Sequence, residues 1–448
     1  MLPSRQSKKV TRRRVMVAGT ALGLIAAPFV RGAHAAGKLS VGFWDHWVPN
    51  ANDATSTLIK EWAEKEKVDV TVDFITTQAN KLLLTGAAEA QAKTGHDILA
   101  HTSFLPARYA EQLTPVNELM DELIKTNGKV NGTVEYLGRV NGNWLAIPAT
   151  VGSQIKGPCS RIDLMKKHAG IDVQAMYPAG APPKADDWTL DTFLKAAEAC
   201  QKGGNPFGIG VGNTGDSTDT IGAIFHSFGA MLVNAKGEIV VKSDPVRQAI
   251  DYYKRLMKFL PSDVAAWDDA SNNKYLISGQ GSLIMNPPSA WAVAKRDAPQ
   301  VAEQCWTHGM PAGPKGRFAP FVPFFWGIWN FSKNQPAAKS LLMYLSQPAS
   351  IEKMVVASGG YDLPSFEKLT TLKVWAEAAP PKGTLYHYPN PYNHQVLSVA
   401  AAPAPHKVAE QINTNNVLCQ MAVRHYTGEP MEKVLAWAES EVEGYMRT

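Results

Sequence analysis

The sequence predicts an α/β protein of two lobes, and three observations carry that prediction. Short apolar strands alternate with amphipathic helices from Lys38 onward, the pattern of a parallel sheet with crossover helices. The folded part is about 413 residues, beyond the roughly 250–300 at which one hydrophobic core stops growing. A hairpin that ends at Pro148 breaks the alternation and places the first crossing between lobes.

The elements follow in chain order. Thr11, Arg12, Arg13, Arg14, Val15 and Met16 open an apolar run from Val15 to Val30 that contains no acidic residue, so residues 1–35 read as a cleavable export signal. The run is shorter than the ~20 residues a membrane span needs and is interrupted by Gly19, Gly23 and Pro28. Ala33-His34-Ala35 supplies small residues at alternate positions for cleavage after Ala35. The paired arginines resemble the twin-arginine export motif, which implies delivery of a folded protein to the periplasm; a plain secretory signal is the alternative.

Removing that segment changes the charge. The full chain carries a formal +5, but seven basic residues leave with the signal, so 38 basic residues face 40 acidic ones, a net charge of −2. A near-neutral surface without a basic stripe excludes nucleic acid as a partner. Cys159, Cys200, Cys305 and Cys419 form no C-x-x-C pattern, which argues against a metal cluster or thiol redox chemistry and leaves one or two structural disulfides open, their pairing unreadable.

Lys38 to Phe43 reads as a strand, Ala54 to Glu66 as a helix and Val68 to Phe74 as a second strand. A helix from Asn80 to Lys93, a third strand at Asp97 to Ala100 and a helix from Leu105 to Leu113 continue the alternation. Tyr136 to Val140 and Trp144 to Ile147 read as strands joined at Asn141-Gly142, a pair that tolerates the positive φ of a type I′ turn. Helices are expected at Ile162 to His168, at Leu190 to Gln201 with Thr189 as N-cap, and from Asp244. Strands follow at Gly279 to Met285 and Trp326 to Phe331, then helices at Pro336 to Leu345 and Met431 to Met446.

Lys38-Leu39-Ser40-Val41-Gly42-Phe43-Trp44, Gly95-His96-Asp97-Ile98-Leu99, the hairpin Val140 to Pro148, Asp187-Trp188-Thr189, Met285-Asn286-Pro287 and Trp326-Gly327-Ile328 occur in an order that resembles the extracellular solute-binding proteins of ATP-driven importers, the group that includes maltose-binding proteins. The resemblance implies a type II-like periplasmic-binding-protein fold with hinge crossings, lobe 1 formed by 36–147 and 312–361 and lobe 2 by 148–311 and 362–448. It also implies an ABC permease as partner, a small polar ligand such as a carbohydrate, a periplasmic monomer, no cofactor and no catalysis. The chain departs from the pattern at Asn286-Pro287-Pro288-Ser289, where relatives often carry a Trp, and at Phe324-Phe325, where they carry glycines.

A sugar site needs aromatic rings against C–H faces and polar groups around the hydroxyls. Trp44, Asp45 and Trp47 follow the first strand, and Thr102 and Ser103 the third, at carboxyl ends where open α/β sheets place ligands. Ser289, Trp291 and Trp326 lie beside expected interlobe segments, while Tyr361 and Asp362 follow a Gly-Gly pair and Tyr392 sits in a polar aromatic loop. Core packing or helix capping is the competing role for each. Gly210 to Gly215 fits a G-x-G-x-x-G spacing but lies mid-chain, outside an opening βαβ unit, and reads as a connector or ligand-lining loop rather than a nucleotide site. No metal-ligand or nucleophilic constellation stands out. The competing functions are the same fold with a glycerol phosphodiester, polyol or polyamine as ligand, and an exported glycoside hydrolase acting through paired carboxylates.

Overall fold

The computed structural model describes residues 37–178, 181–286, 288–374 and 395–447. The expected signal segment therefore lies outside the described residues, as does Tyr392.

Eleven strands are present among the described residues: β1 Lys38–Trp44, β2 Asp69–Ile75, β3 Ile98–Thr102, β4 Arg139–Val140, β5 Asn143–Trp144, β6 Ile147–Ile155, β7 Cys159–Arg161, β8 Leu283–Ile284, β9 Cys305–Thr307, β10 Phe318–Ile328 and β11 Val396–Ser398. β1 pairs in parallel with β2 and β3, as the opening strand-helix-strand alternation requires. β10 runs antiparallel between β3 and β6, and its first residues pair in parallel with β11. A second sheet, β8-β7-β9, belongs to the other lobe.

Among the described residues, β6 runs on into β7 and β9 into β10, carrying the chain between the two sheets. β6 and β10 are buried along almost their whole length because each has neighbours on both faces, which is why β10 reads as an apolar run rather than an alternating pattern, while β6 buries Thr150, Ser153 and Gln154 among its apolar residues.

Local chemistry sets the helices. Thr189 caps Leu190–Lys202 and Thr214 caps Gly215–Phe228, each hydroxyl accepting a backbone N–H two or three residues into the helix. Gly229, at φ 77°, closes the second of these. The helix Asp244–Met257 buries Val246, Ala249, Ile250, Tyr253 and Leu256 at spacings of three and four, and each such side chain contributes about 1.5–3 kcal/mol on removal from water. The C-terminal helix Met431–Arg447 buries Val434, Leu435, Ala438 and Val442.

Several expectations are corrected. Tyr136 belongs to a short helix, Gly132–Gly138, whose N-cap Asn131 accepts from Val134, so the hairpin keeps only β4 and β5 around Asn141 and Gly142, at φ 50° and 83°. The helix at Leu105 stops at Arg108, the strand at Gly279 shrinks to β8, and the strand expected at Trp326 begins at Phe318. Beyond Asp362, where the second lobe was expected to resume, Asn131 N–H donates to Ser365 O (3.2 Å) and Glu367 N–H to Lys129 O (2.9 Å), so this stretch still packs on first-lobe elements. All four cysteines are buried free thiols.

Candidate functional site

The two crossing strands lose regular pairing at one place. Register is kept at Val322↔Gln154, then jumps to Phe324↔Ala149, and the intervening Gly152 sits at φ 92°. Only glycine fits: a Cβ there would stand 2.7 Å from the Phe324 ring. Ser153 stitches the irregularity, donating to Ala149 O (2.6 Å) and accepting from Phe324 N–H (2.9 Å).

The carboxyl end of β1 approaches this break. His46 is buried, and its Nδ1 accepts from Val48 N–H (2.8 Å), which leaves Nε2 to donate to Asp362 Oδ1 (3.0 Å). The same oxygen accepts from Gly152 N–H (2.8 Å). Asp362 thus ties the end of β1 to the irregular crossing strand. Tyr361 packs edge-on to His46 with centroids 4.5 Å apart, and Trp44 lies against His46, Phe324 and Tyr361. Burial, followed by the charges of Asp362 and Asp216, pushes the Tyr361 phenol well above its ordinary range.

The opposing wall comes from the second lobe. Asp216 and Asp219 stand one turn apart at the start of the helix Gly215–Phe228, so both face the same way. Both reach the buried ammonium of Lys156, just past the end of β6; the Asp219 Oδ2 contact is 3.1 Å. Asn272 Nδ2 donates to Asp216 Oδ2 (3.2 Å), and Asp216 N–H donates to Asp269 Oδ1 (3.2 Å). Behind them Asn286 Nδ2 donates to Asn272 Oδ1 (3.3 Å), and Asn273 Nδ2 to Ser289 Oγ (3.2 Å).

Electrostatics follow from that geometry. Burial works to lower the Lys156 pKa, but Asp216, Asp219 and Asp269 outweigh it and hold the ammonium above its ordinary value. Desolvation pushes the Asp219 carboxyl up, and Lys156 only partly offsets it. Asp269 is open to solvent on one side yet flanked by protein, and desolvation together with the like charge of Asp216 raises its carboxyl as well.

Of the residues singled out from sequence, Trp44, Tyr361 and Asp362 come together at the crossing, and Ser289 lies in the asparagine network of the opposite wall. Asp45 is exposed and accepts from Asn52 Nδ2 (2.8 Å), Trp47 is half-buried at the edge of the core, and Thr102 and Ser103 are half-buried at the end of β3. Trp291 is almost buried, with the Lys295 ammonium 4.9 Å from its ring centre. Trp326 is a correction: it stacks on Phe43 at 5.0 Å inside the first lobe, because β10 is an interior strand with both faces covered.

Sequence reasoning missed His46, Gln154, Lys156, Asp216 and Asp219. No local signal marked Lys156: the strand before it carries Thr150, Ser153 and Gln154 among its apolar residues, and only its burial shows that the ammonium requires carboxylate partners. The G-x-G-x-x-G segment has a structural reason: a Cβ on Gly212 would meet Trp267 O at 2.6 Å, and the loop delivers Thr214 to its capping position. Beside it Asp216, Asn272 and Trp267 line a cavity of about 10 Å³, the space of one water molecule. Among the described residues no cluster of three or more His, Cys, Asp or Glu could hold a metal ion, and no helix is long and apolar enough to cross a membrane.

Residues 57–381 match the family model described as bacterial extracellular solute-binding protein. A curated relative, the probable ABC transporter-binding protein of Deinococcus radiodurans, is 26% identical over 238 residues, 50% of this chain and 53% of that protein, so the chain spans about half the length of the relative it matches. Among solved structures, the maltose-bound MalE3 of T. maritima aligns with TM-score 0.69 at 17% identity, covering 91% of this chain and 99% of that one. The sugar transporter protein of Arthrobacter chlorophenolicus A6 with bound laminaribiose aligns with TM-score 0.68 at 17% identity, over 92% and 99%. These likenesses show the two-lobed fold.

Proposed function

The chain belongs to the bacterial extracellular solute-binding proteins, and we propose that it captures a small polyhydroxylated solute, a carbohydrate, between its lobes and hands it to the permease of an ABC importer. The proposal includes residues 1–35 as a twin-arginine signal and the periplasm as the place of work.

The observation that carries the reading is the position of the polar groups. Trp44, Tyr361, Asp362, Gln154 and Lys156 gather where β6 and β10 lose their register, and Asp216 and Asn272 face them from the second lobe. A solute that touches both walls makes its full set of contacts only when the lobes are closed. Its binding free energy therefore shifts the population toward the closed form, which is the form a permease can read. The amides and carboxylates supply acceptors for hydroxyl protons. Binding and hinge closure account for the activity without a covalent step.

Intrinsic tryptophan fluorescence and thermal melting of the mature protein test this against neutral sugars, polyols, glycerol phosphodiesters and polyamines. A saturable shift with the sugars is expected, because Trp44 packs at the crossing. Silence across the panel combined with turnover of glycosides would overturn the reading in favour of an enzyme.

A further inference from the structure

Two of the four cysteines meet in the fold. Cys159 opens β7 and Cys305 opens β9, and the antiparallel register sets Cys159 opposite Thr307 and Arg161 opposite Cys305. The two cysteines are therefore diagonal neighbours, which puts their side chains on one face of the sheet and within reach of each other. The contact is made: the Cys159 thiol is hydrogen-bonded to that of Cys305, and this bond together with burial raises it well above its ordinary range. The Cys305 thiol in turn donates to Val301 O (3.3 Å).

Their surroundings set the pair apart. Cys159 and Cys305 are 0% and 2% exposed and pack with Leu276, Ile284 and Val301 in an apolar cluster separate from the main core. The place is also the second-lobe root of both crossing segments. The chain reaches Cys159 from Lys156 through Gly157 and Pro158, and just past β9 the His308 N–H donates to Pro158 O (3.1 Å). The other two thiols stand elsewhere, Cys200 against Ser282 and Cys419 against Thr218.

We infer that Cys159 and Cys305 form a disulfide in the exported protein, and that it staples the second-lobe ends of the two crossing segments. The extracellular solute-binding family works outside the cytoplasm, where disulfides form and persist. The oxidant is itself a disulfide, that of a thiol oxidoreductase or of a small thiol such as glutathione. Thiolate exchange breaks the oxidant's S–S bond and the two cysteine S–H bonds, releases two protons, passes two electrons to the oxidant as it becomes two thiols, and leaves the Cys159–Cys305 bond. Burial shields both sulfurs, so exchange in the folded chain proceeds through local opening of this part of the second lobe. The inference draws on export alone and is independent of which solute is bound.

The mature protein, unfolded with reductant and refolded in oxidised and reduced glutathione, is alkylated in denaturant and mapped by peptide mass. Two of the four cysteines are expected to escape alkylation, joined in one peptide pair that contains Cys159 and Cys305, with Cys200 and Cys419 alkylated. Full reduction should make all four reactive and lower the melting temperature by about 3 °C, the effect of a typical disulfide on a chain of this length. Alkylation of all four in a refolded, cooperatively melting protein would overturn the disulfide, as would a bond through Cys200 or Cys419. A linked protein that melts no higher than its reduced form would overturn the staple.

Discussion

The two walls of the interlobe region hold their polar groups by different physics. On the crossing side, Asp362 Oδ1 accepts from a histidine and from a backbone N–H, and aromatic rings from Trp44 and Tyr361 pack around it. On the second-lobe side, Lys156 is gripped by carboxylates from one helix, and amides from Asn272 and Asn286 support them. The first arrangement fixes backbone geometry at a strand irregularity. The second concentrates charge. Lys156 is also the point of contact between them, since it continues the strand that carries Gly152 and Gln154 and ends among the second-lobe aspartates.

If that contrast holds, the largest effect comes from removing the cation. K156M leaves Asp216 and Asp219 as uncompensated charges and is expected to cost about 3–5 kcal/mol in chemical denaturation. Adding D219N should return part of the loss; a K156M protein as stable as the parent would show that the cluster does not hold the second lobe together. The next effect lies on the opposite wall. D362A leaves His46 Nε2 and Gly152 N–H without their acceptor, an expected loss of about 1–3 kcal/mol measured the same way, with D362N costing less because its amide oxygen still accepts.

The smallest effect sharpens the assignment of charge. Asp269 has its carboxyl raised in the folded protein, so it contributes unfavourably above that raised value, and the penalty fades as pH falls through it toward the ordinary carboxylate range, where both states are protonated. D269N should therefore stabilise slightly at neutral pH, by roughly 0.3 kcal/mol given its exposure, with the advantage vanishing on acidification. Melting temperatures of parent and D269N at matched ionic strength from neutral to acidic pH provide the readout. An advantage that grows on acidification would reverse the sign of the interaction.

Much of the fold was legible from local signals. The strand-helix-strand opening, the Thr189 cap, the Asn141-Gly142 turn and the C-terminal helix each depend on residues within a few positions of one another. Less of the candidate site could be read. Trp44, Tyr361 and Asp362 entered the candidate set because they follow strand ends or glycines, whereas an aromatic in a crossing strand, such as Trp326, has no local mark of whether it faces core or cleft. His46 stood beside two chosen residues and went unnoticed, since its partner Asp362 lies 316 positions away.

The sequence by itself determined the two-lobed α/β class, the order of strands and helices, and the family, because hydrophobic periodicity, caps and turn residues act over short distances. Tertiary structure alone decided which lysine is buried and which carboxylates surround it. Lys156 meets Asp216 and Asp219 across 60 and 63 positions, and desolvation at their meeting point depends on how both lobes pack, a quantity that no local pattern of residues contains.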